Sequence, residues 1–474
     1  MMEKNAYEKN MHGKNLITAG LEIHQQLDTH KLFCECPSIL RNDEPLFRIR
    51  RKLNPVAGES GKIDIAAAYE KEKNKIFVYE VYDTNCLVEL DEEPPHEINP
   101  EALKIALQIA LLLNCRIFPV SQVMRKTVID GSDTSGFQRT VLIAHDGWIE
   151  TSEGKVGIET IALEEDAARP ASKQEIDKPG FEDSKIYKLD RLGIPLVEIT
   201  TKPDLKSPEQ IREAALKIGE ILRACKVRRG IGTIRQDLNI SIPGSKRVEI
   251  KGFQEQRVMV KIIENEIRRQ EECIREKSCK SEVRRAKDDG TTEFLRPMPS
   301  AERMYPETDL ELLKISKERI NEAKKFLPKI ASEHKKYLQE FGLNDELISL
   351  VLKQNKIEDF KYLSNITKNY NLIAKALTIY PKQDIEIVES ILQNVEDNKI
   401  SENDVKLIMG RVASGESLEE AMKKEKIDVR EEVKKLLDEK PNLSANAYMG
   451  LMMAKFKGRI SGKEVMDEIK KASA

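Results

Sequence analysis

From about residue 16 to 260 the chain alternates apolar and polar positions in short runs. Beyond Met304-Tyr305-Pro306-Glu307-Thr308-Asp309 that pattern gives way to lysine- and glutamate-rich segments with apolar residues at helical spacing. The first stretch predicts an α+β body with a mostly antiparallel sheet, and the second a mainly helical half. Strand-like runs include Gly20-Leu21-Glu22-Ile23-His24-Gln25-Gln26-Leu27, Leu196-Val197-Glu198-Ile199, Arg235-Gln236-Asp237-Leu238-Asn239-Ile240-Ser241-Ile242 and Val248-Glu249-Ile250-Lys251. Two helices in this body are well marked. Asn99-Pro100-Glu101 supplies a cap and a first-turn proline ahead of Leu103, Ala106, Leu107 and Ala110, and Ser207-Pro208-Glu209-Gln210 reads as a capping box ahead of Ile211, Ala215, Ile218 and Leu222. The charged segment from about 262 to 290 has a helical period and ends on the turn signal Lys287-Asp288-Asp289-Gly290. A joint between Lys423 and Arg430 sets off short helices over Glu431 to Glu439 and Ser444 to Ala472.

The alternation also assigns polar residues to faces. In a strand, residues i and i+2 point the same way, so Glu22 and His24 share a face, which is either a solvated edge or the lining of a site. Asp237, Asn239 and Ser241 lie opposite the apolar face made by Leu238, Ile240 and Ile242, and Glu249 and Lys251 fall together in the same manner. Glu198 is a carboxylate inside an apolar strand, which is costly unless it is paired or bound to metal. Three consecutive carboxylates, Glu164-Glu165-Asp166, repel one another and are comfortable only in water or around a cation. Oxygen donors with an imidazole among them suit Mg²⁺ or Mn²⁺ and hence phosphoryl transfer, although no G-x-x-x-x-G-K-[ST] loop or protein-kinase signature is present. Arg125 and Lys126 lead into a glycine- and serine-rich loop, Asp130 to Thr140, that is a candidate anion-binding stretch or simply a polar loop.

Composition narrows the picture little further. With 79 basic and 81 acidic residues among 474, a nucleic-acid partner must be met by local basic patches. The seven scattered cysteines, and the lack of an opening apolar segment, lead to the expectation of reduced thiols in a cytoplasmic protein with no membrane association.

Several of these stretches occur together and in order. Gly20 to His24, Asp130-Gly131-Ser132, Gly136-Phe137-Gln138-Arg139-Thr140, Leu163 to Arg169, Leu189 to Ile199, Val248 to Gly252 and Met304 to Asp309 resemble the GatB/GatE family of aminoacyl-tRNA amidotransferase subunits, with wording nearest the archaeal E-type subunits. The resemblance implies a cradle-like catalytic domain over residues 1–308, a helical domain over 309–425 and a tail domain over 426–474 that contacts tRNA. It implies ATP and Mg²⁺ as cofactors and a two-step reaction. The side-chain carboxylate of glutamate misacylated onto tRNA(Gln) is phosphorylated, and ammonia from a GatD partner in a GatDE hetero-oligomer then displaces the phosphate. The other readings are a GatB-type subunit of a GatCAB enzyme and a tRNA-binding adaptor without chemistry.

Carried over by position, Glu22, His24 and Glu165, with Glu164 beside them, resemble the metal-binding group, and Glu22, His24, Glu165 and Lys126 the catalytic set. Asp190, Asp237 and Glu249 are further candidates for a second metal or for the substrate's amino group. Arg125, Gln138 and Lys251 stand where contacts to phosphate or the aminoacyl end are expected, and Lys455 and Lys457 in the tRNA-facing helix. Family relatives bind zinc through paired cysteines. Here Cys34, Cys36 and Cys86 remain, with Asp83 as a possible fourth donor, and metal-free thiols are the expectation. An insertion domain usual in E-type chains is missing, with a short link at Ser278-Cys279-Lys280-Ser281-Glu282 in its place.

Overall fold

The computed structural model describes residues 17–58, 61–171, 184–253, 256–300, 303–354, 356–423, 429–441, 443–456 and 462–472. It divides into two compact units, one ending at Pro328 and one beginning at Lys329.

The first unit is built on a large sheet. In chain order its main strands are β1 (Thr18–Gln26), β2 (Val123–Thr127), β3 (Phe137–Thr151), β4 (Gly154–Glu165), β5 (Pro195–Thr201), β6 (Ile234–Ser241), β7 (Val248–Lys251), β8 (Glu282–Ala286), β9 (Thr292–Pro297) and β10 (Met304–Pro306). Their spatial order is β9-β8-β7-β6-β1-β5-β4-β3-β2-β10, antiparallel throughout except for the β7–β8 pair. The expected α+β class with a mostly antiparallel sheet is what forms. Helices α1 (Ile65–Glu72), α2 (Pro100–Leu112), α3 (Pro208–Ala224) and α4 (Gln256–Arg275) accompany it.

The two marked helices start where their caps require. Asn99 Oδ1 accepts from the Glu101 and Ala102 amides, and Ser207 Oγ from the Gln210 amide. The Gln210 side chain accepts from the Lys206 amide, one residue before the cap, so the box is offset from its usual form. Both helices pack on one face of the sheet, where Leu21 and Ile23 are fully buried, each contributing about 2 kcal/mol of apolar burial. Glu22 and His24 therefore point to the other face. The helix expected from 262 to 290 stops at Arg275, and residues 282–286 add a strand beside β7 instead. Sheet pairing outweighs a weak helical period there.

The ten strands cannot lie flat. At ~4.8 Å per strand a flat sheet of this order would separate β9 from β10 by roughly 43 Å, yet the short segment joining Pro297 to Met304 reaches at most ~25 Å. The sheet curls into a trough whose edges approach each other, and Ser300 in the connecting segment is tied to α1 by two hydrogen bonds to Asp64, the cap of that helix. A smaller sheet of Phe47–Arg51, Ile76–Val81, Ser184–Lys188 and Arg169–Pro170 packs around Phe77, Tyr79, Tyr187 and Leu189. Cys273 is disulfide-bonded to Cys279, contrary to the expectation of reduced thiols throughout.

The second unit is helical from Ala331–Glu340 to Gly462–Ala472. One apolar cluster gathers residues between Leu338 and Ala421, and a separate one gathers Val429, Val433, Leu436, Tyr448, Met452, Val465 and Ile469. Most of the joint expected between Lys423 and Arg430 lies outside the described residues.

Candidate functional site

The register of β1 places its polar face at the centre of the trough. Glu22 stands opposite Asp237 on β6, and His24 opposite Glu198 on β5 and Arg235 on β6. One strand further, Glu164 on β4 is paired with Leu196 and Thr140. From His24 Nε2, a Glu198 oxygen lies 3.2 Å away, a Glu22 oxygen 3.4 Å and a Glu164 oxygen 3.6 Å. Lys126 on β2 reaches into the same group, 2.9 Å from Glu164 and 3.2 Å from Glu198. On the other side Lys251 bridges Asp237 and Glu249 at 2.7 Å each. Glu22, His24, Glu164, Lys126, Asp237, Glu249 and Lys251 line a cavity of about 700 Å³ together with Gln138, Asp166, Arg191 and Arg235, with Glu198 behind His24 and Lys126.

The electrostatics follow from confinement. Burial opposes charge on His24, but the hydrogen bond and charge of Glu198, with Glu164 and Glu22, overcome it and push its pKa up to about 9. Burial, with Glu198 adding repulsion, raises Glu22 to about 7 against the pull of His24 and Lys251. Glu198 is held well below the ordinary carboxylate range by Lys126 and His24 despite its burial. The imidazolium proton and the Lys126 ammonium thus neutralise a carboxylate cluster that a divalent cation would otherwise satisfy.

As a cation site the donor set is consistent. Glu22, His24 and Asp237 bring one donor each within 4.8 Å of one another, and so do His24, Glu164 and Glu198. Carboxylate oxygens around one imidazole fit a hard divalent ion that keeps part of its water shell.

The acidic run splits across the sheet. Glu164 joins His24, whereas Glu165 is turned to the opposite face and buried against Arg139, whose amide and guanidinium approach it at 3.2 and 3.4 Å. Arg139 in turn holds Glu307 at 2.8 Å. Glu165 therefore stands apart from the expected metal group, and Glu198 occupies the place beside His24. Adjacent strand residues must face opposite ways.

Other candidates separate in the same manner. Asp190 is fully buried and clasped by Arg169 at 2.6 Å and by the Arg41 amide at 2.6 Å, outside the donor groups. Glu249 is neutralised by Lys251 and joins no donor group among the described residues. Arg125 lies on the Glu165 side, paired with Glu307 and Asp309, and does not line the cavity. Gln138 does line it, its amide donating to the Glu165 carbonyl at 2.5 Å. Lys455 is exposed and pairs with Glu432 at 2.9 Å, and Lys457 lies outside the described residues.

The cysteines converge on a partner that sequence reasoning did not name. Cys34, Cys36 and Cys86 gather with Glu89, whose carboxylate accepts from Cys34 Sγ at 3.0 Å and from the Cys86 amide at 2.8 Å. Asp83 is instead exposed and engaged by Arg41. Three sulfurs and a carboxylate, all within 4.8 Å of one another, match a tetrahedral zinc set. Cys86 is held far below the usual thiol range by hydrogen bonds from Cys34 and Cys36, so one thiolate is already favoured.

The trough, its cavity and its donor cluster define a sheet-lined domain with a candidate cation site at its centre. Residues 17–321 match the family described as the GatB/GatE catalytic domain, and the chain belongs to that family. Similar relatives are the E subunits of glutamyl-tRNA(Gln) amidotransferase from Methanocaldococcus jannaschii, 36% identical, and from Sulfurisphaera tokodaii, 34% identical, each alignment covering 96% of this chain and 98% of the relative. The counterpart in Archaeoglobus fulgidus is 33% identical over the same shares. The first alignment spans 624 positions against a chain of 474 residues, so at least 150 of its positions have no counterpart here. Among the described residues no helix is long and apolar enough to cross a membrane.

Proposed function

We propose that this chain is the ATP-dependent subunit that converts glutamate on misacylated tRNA(Gln) to glutamine. The observation that carries the reading is that His24, Glu22, Glu164 and Lys126 line one cavity of a GatB/GatE chain, with Glu198 backing His24 and Lys126. A carboxylate is a poor electrophile with a poor leaving group, and transfer of a phosphoryl group from ATP to the glutamate oxygen creates an acyl phosphate that ammonia attacks, releasing phosphate. Mg²⁺ bound at the cluster would neutralise charge on the phosphates during transfer. Lys126, between Glu164 and Glu198, would give its ammonium to the transferred phosphoryl oxygens, and Gln138, bonded to the Glu165 carbonyl, would steady the strand end beside it. Lys251 and Asp237 form the opposite wall.

Ammonia is supplied by a GatD partner in a cytoplasmic GatDE assembly, and the tail over residues 426–474 meets tRNA phosphates through Lys455 and Lys457. Residues 1–308 form the catalytic domain and 309–425 the helical domain between. The test is ADP release with Mg²⁺ and Glu-tRNA(Gln), against a control without tRNA. Equal ADP in both would sink the reading, and co-purification with an amidase rather than an asparaginase-fold partner would move it to the GatB type.

A further inference from the structure

Most cations lining the cavity face an acid, as Lys126, Lys251 and Arg235 do. Arg296, on β9, and Arg303, just ahead of β10, also line the cavity, and among the described residues neither has a carboxylate within ion-pair reach. Their hydrogen bonds go to main-chain carbonyls, Arg296 to Pro297 at 3.5 Å and Arg303 to Thr127 at 3.3 Å. Lys185 shares this condition, its ammonium 3.4 Å from the Asp130 carbonyl.

The two arginines come from opposite edges of the curled sheet and meet where those edges approach. Both also line a small adjoining pocket beside Asp64 and Asp130. Burial first, and then the charge of Arg303, lowers the pKa of Arg296, so these like charges sit close in a half-buried setting. Glu249, Asp130 and Asp64 relieve that repulsion only from a distance. Leaving two guanidiniums together without acids is unfavourable unless a ligand brings the counter-charge, and a guanidinium fork matches phosphate oxygens in bidentate fashion. The field of Arg303 also reaches Lys126, which itself touches Glu164 and Glu198. The arginine pair and Lys126 thus line one cavity that also holds the candidate metal cluster.

We infer that Arg296 and Arg303 form the polyphosphate-binding end of the cavity, holding the phosphate chain of a nucleoside triphosphate whose reacting end lies against Lys126 and the His24 cluster. The inference rests on the reading that this cavity takes ATP. No sequence motif marks the pair, because seven positions in a proline-rich connection separate the two residues and only the closure of the trough joins them.

Titration calorimetry with Mg²⁺ alone, inorganic tripolyphosphate, a non-hydrolysable ATP analogue and Glu-tRNA(Gln) tests it on the full chain. Arg296→Ala and Arg303→Ala should each weaken tripolyphosphate and the analogue by about tenfold or more, the loss expected for a charge-assisted bond. Mg²⁺ and tRNA affinities should stay within about twofold, and Arg303→Lys should fall between wild type and alanine. Melting curves and the unchanged Mg²⁺ affinity separate a binding loss from misfolding. Full polyphosphate affinity in both alanine variants, loss of tRNA affinity alone, or no binding of either polyphosphate by wild type overturns the inference. Arginine-dependent tripolyphosphate binding in a chain that cleaves no ATP with misacylated tRNA would keep the site and discard the amidotransferase reading. Normal cleavage with variants of full affinity would do the reverse.

Discussion

His24 and Glu198 are cross-strand partners on β1 and β5, and their side chains meet with Nε2 3.2 Å from the carboxylate oxygen. Directly opposed residues on one sheet face are the closest neighbours a sheet offers, so this pair fixes the imidazole before any ligand arrives. With Glu22 and Glu164 also within 3.6 Å, the ring is protonated at neutral pH in the metal-free protein.

That protonation sets a pH dependence of stability. The folded pKa of His24, about 9, exceeds its unfolded value of 6.5, so its contribution is complete below pH 6.5 and is lost as pH rises to 9. Glu22, raised from 4.5 to about 7, acts in the same direction in a lower window. The metal-free chain should therefore lose stability between pH 6.5 and 9, by about 3 kcal/mol from His24. A divalent cation displaces that proton, so millimolar Mg²⁺ should flatten the decline and bind more tightly as pH rises through this range. Chemical denaturation at pH 6.5, 7.5 and 9 with and without Mg²⁺ measures both, and a flat metal-free profile would contradict the assignment.

Glu164 and Glu165 are neighbours in sequence with opposite expected phenotypes. Glu164→Gln should cut Mg²⁺-dependent ATP cleavage by at least about a hundredfold, because it acts on the cation cluster, and should cost less stability than loss of Glu165, because Lys126 and His24 each keep Glu198 at 3.2 Å when the Glu164 charge is removed. Glu165→Gln breaks a buried pair with Arg139 and should cost about 2–4 kcal/mol of stability. Parallel melting and ADP-release measurements distinguish the two. Undiminished ADP release by Glu164→Gln would remove Glu164 from the site.

Much of this was legible in the chain. Alternation placed Glu22 with His24, and Asp237 with Asn239 and Ser241, and the register confirms each shared face. The rule that a carboxylate in an apolar strand must be paired picked out Glu198, which the residues carried over by resemblance omit. Alternation also had the means to separate Glu164 from Glu165. What it lacked was the order of strands, since nothing local says that β1 lies between β5 and β6, or that β9 and β10 approach. Arg296 and Arg303 come together only through that approach of the edges, whereas Glu89, three residues from Cys86, was missed because sequence reasoning stopped at Asp83 for the fourth donor. Asp190 looked like a ligand for the converse reason, because its partners Arg41 and Arg169 are distant in sequence and absorb its charge.

The thiol cluster should bind one zinc ion per chain. Cys34, Cys36, Cys86 and Glu89 form the donor set, so chain refolded with Co²⁺ should show tetrahedral ligand-field bands and thiolate charge transfer. Cys86→Ser should abolish the signal. Asp83→Ala should leave it intact, since that carboxylate is directed to Arg41. Metal analysis of the chain purified without chelators provides the stoichiometry, and zinc bound equally well by Cys86→Ser would place it elsewhere.

Gly131 supports the site from the loop between β2 and β3. Its φ of 94° lies in the left-handed region, and a Cβ built there would come within 2.1 Å of the Phe77 ring, which is itself buried in the neighbouring small sheet. Neither the backbone nor the ring can yield cheaply, as Phe77 packs near Tyr187, whose hydroxyl donates to the Asp130 carbonyl at 3.0 Å. Gly131→Ala should therefore destabilise the chain by about 2–4 kcal/mol through strain and overpacking. It should also raise the KM for ATP, because Asp130, Ser132 and Asp133 in that loop line the cavity. Gly154 provides the contrast within the same sheet, with φ of 117° but nothing within 4 Å of an added methyl, so Gly154→Ala should cost only the backbone strain, about 1 kcal/mol, and leave the KM unchanged. Melting curves and ATP titrations of the two variants give the comparison, and equal effects would mean that the Phe77 contact does not hold the loop.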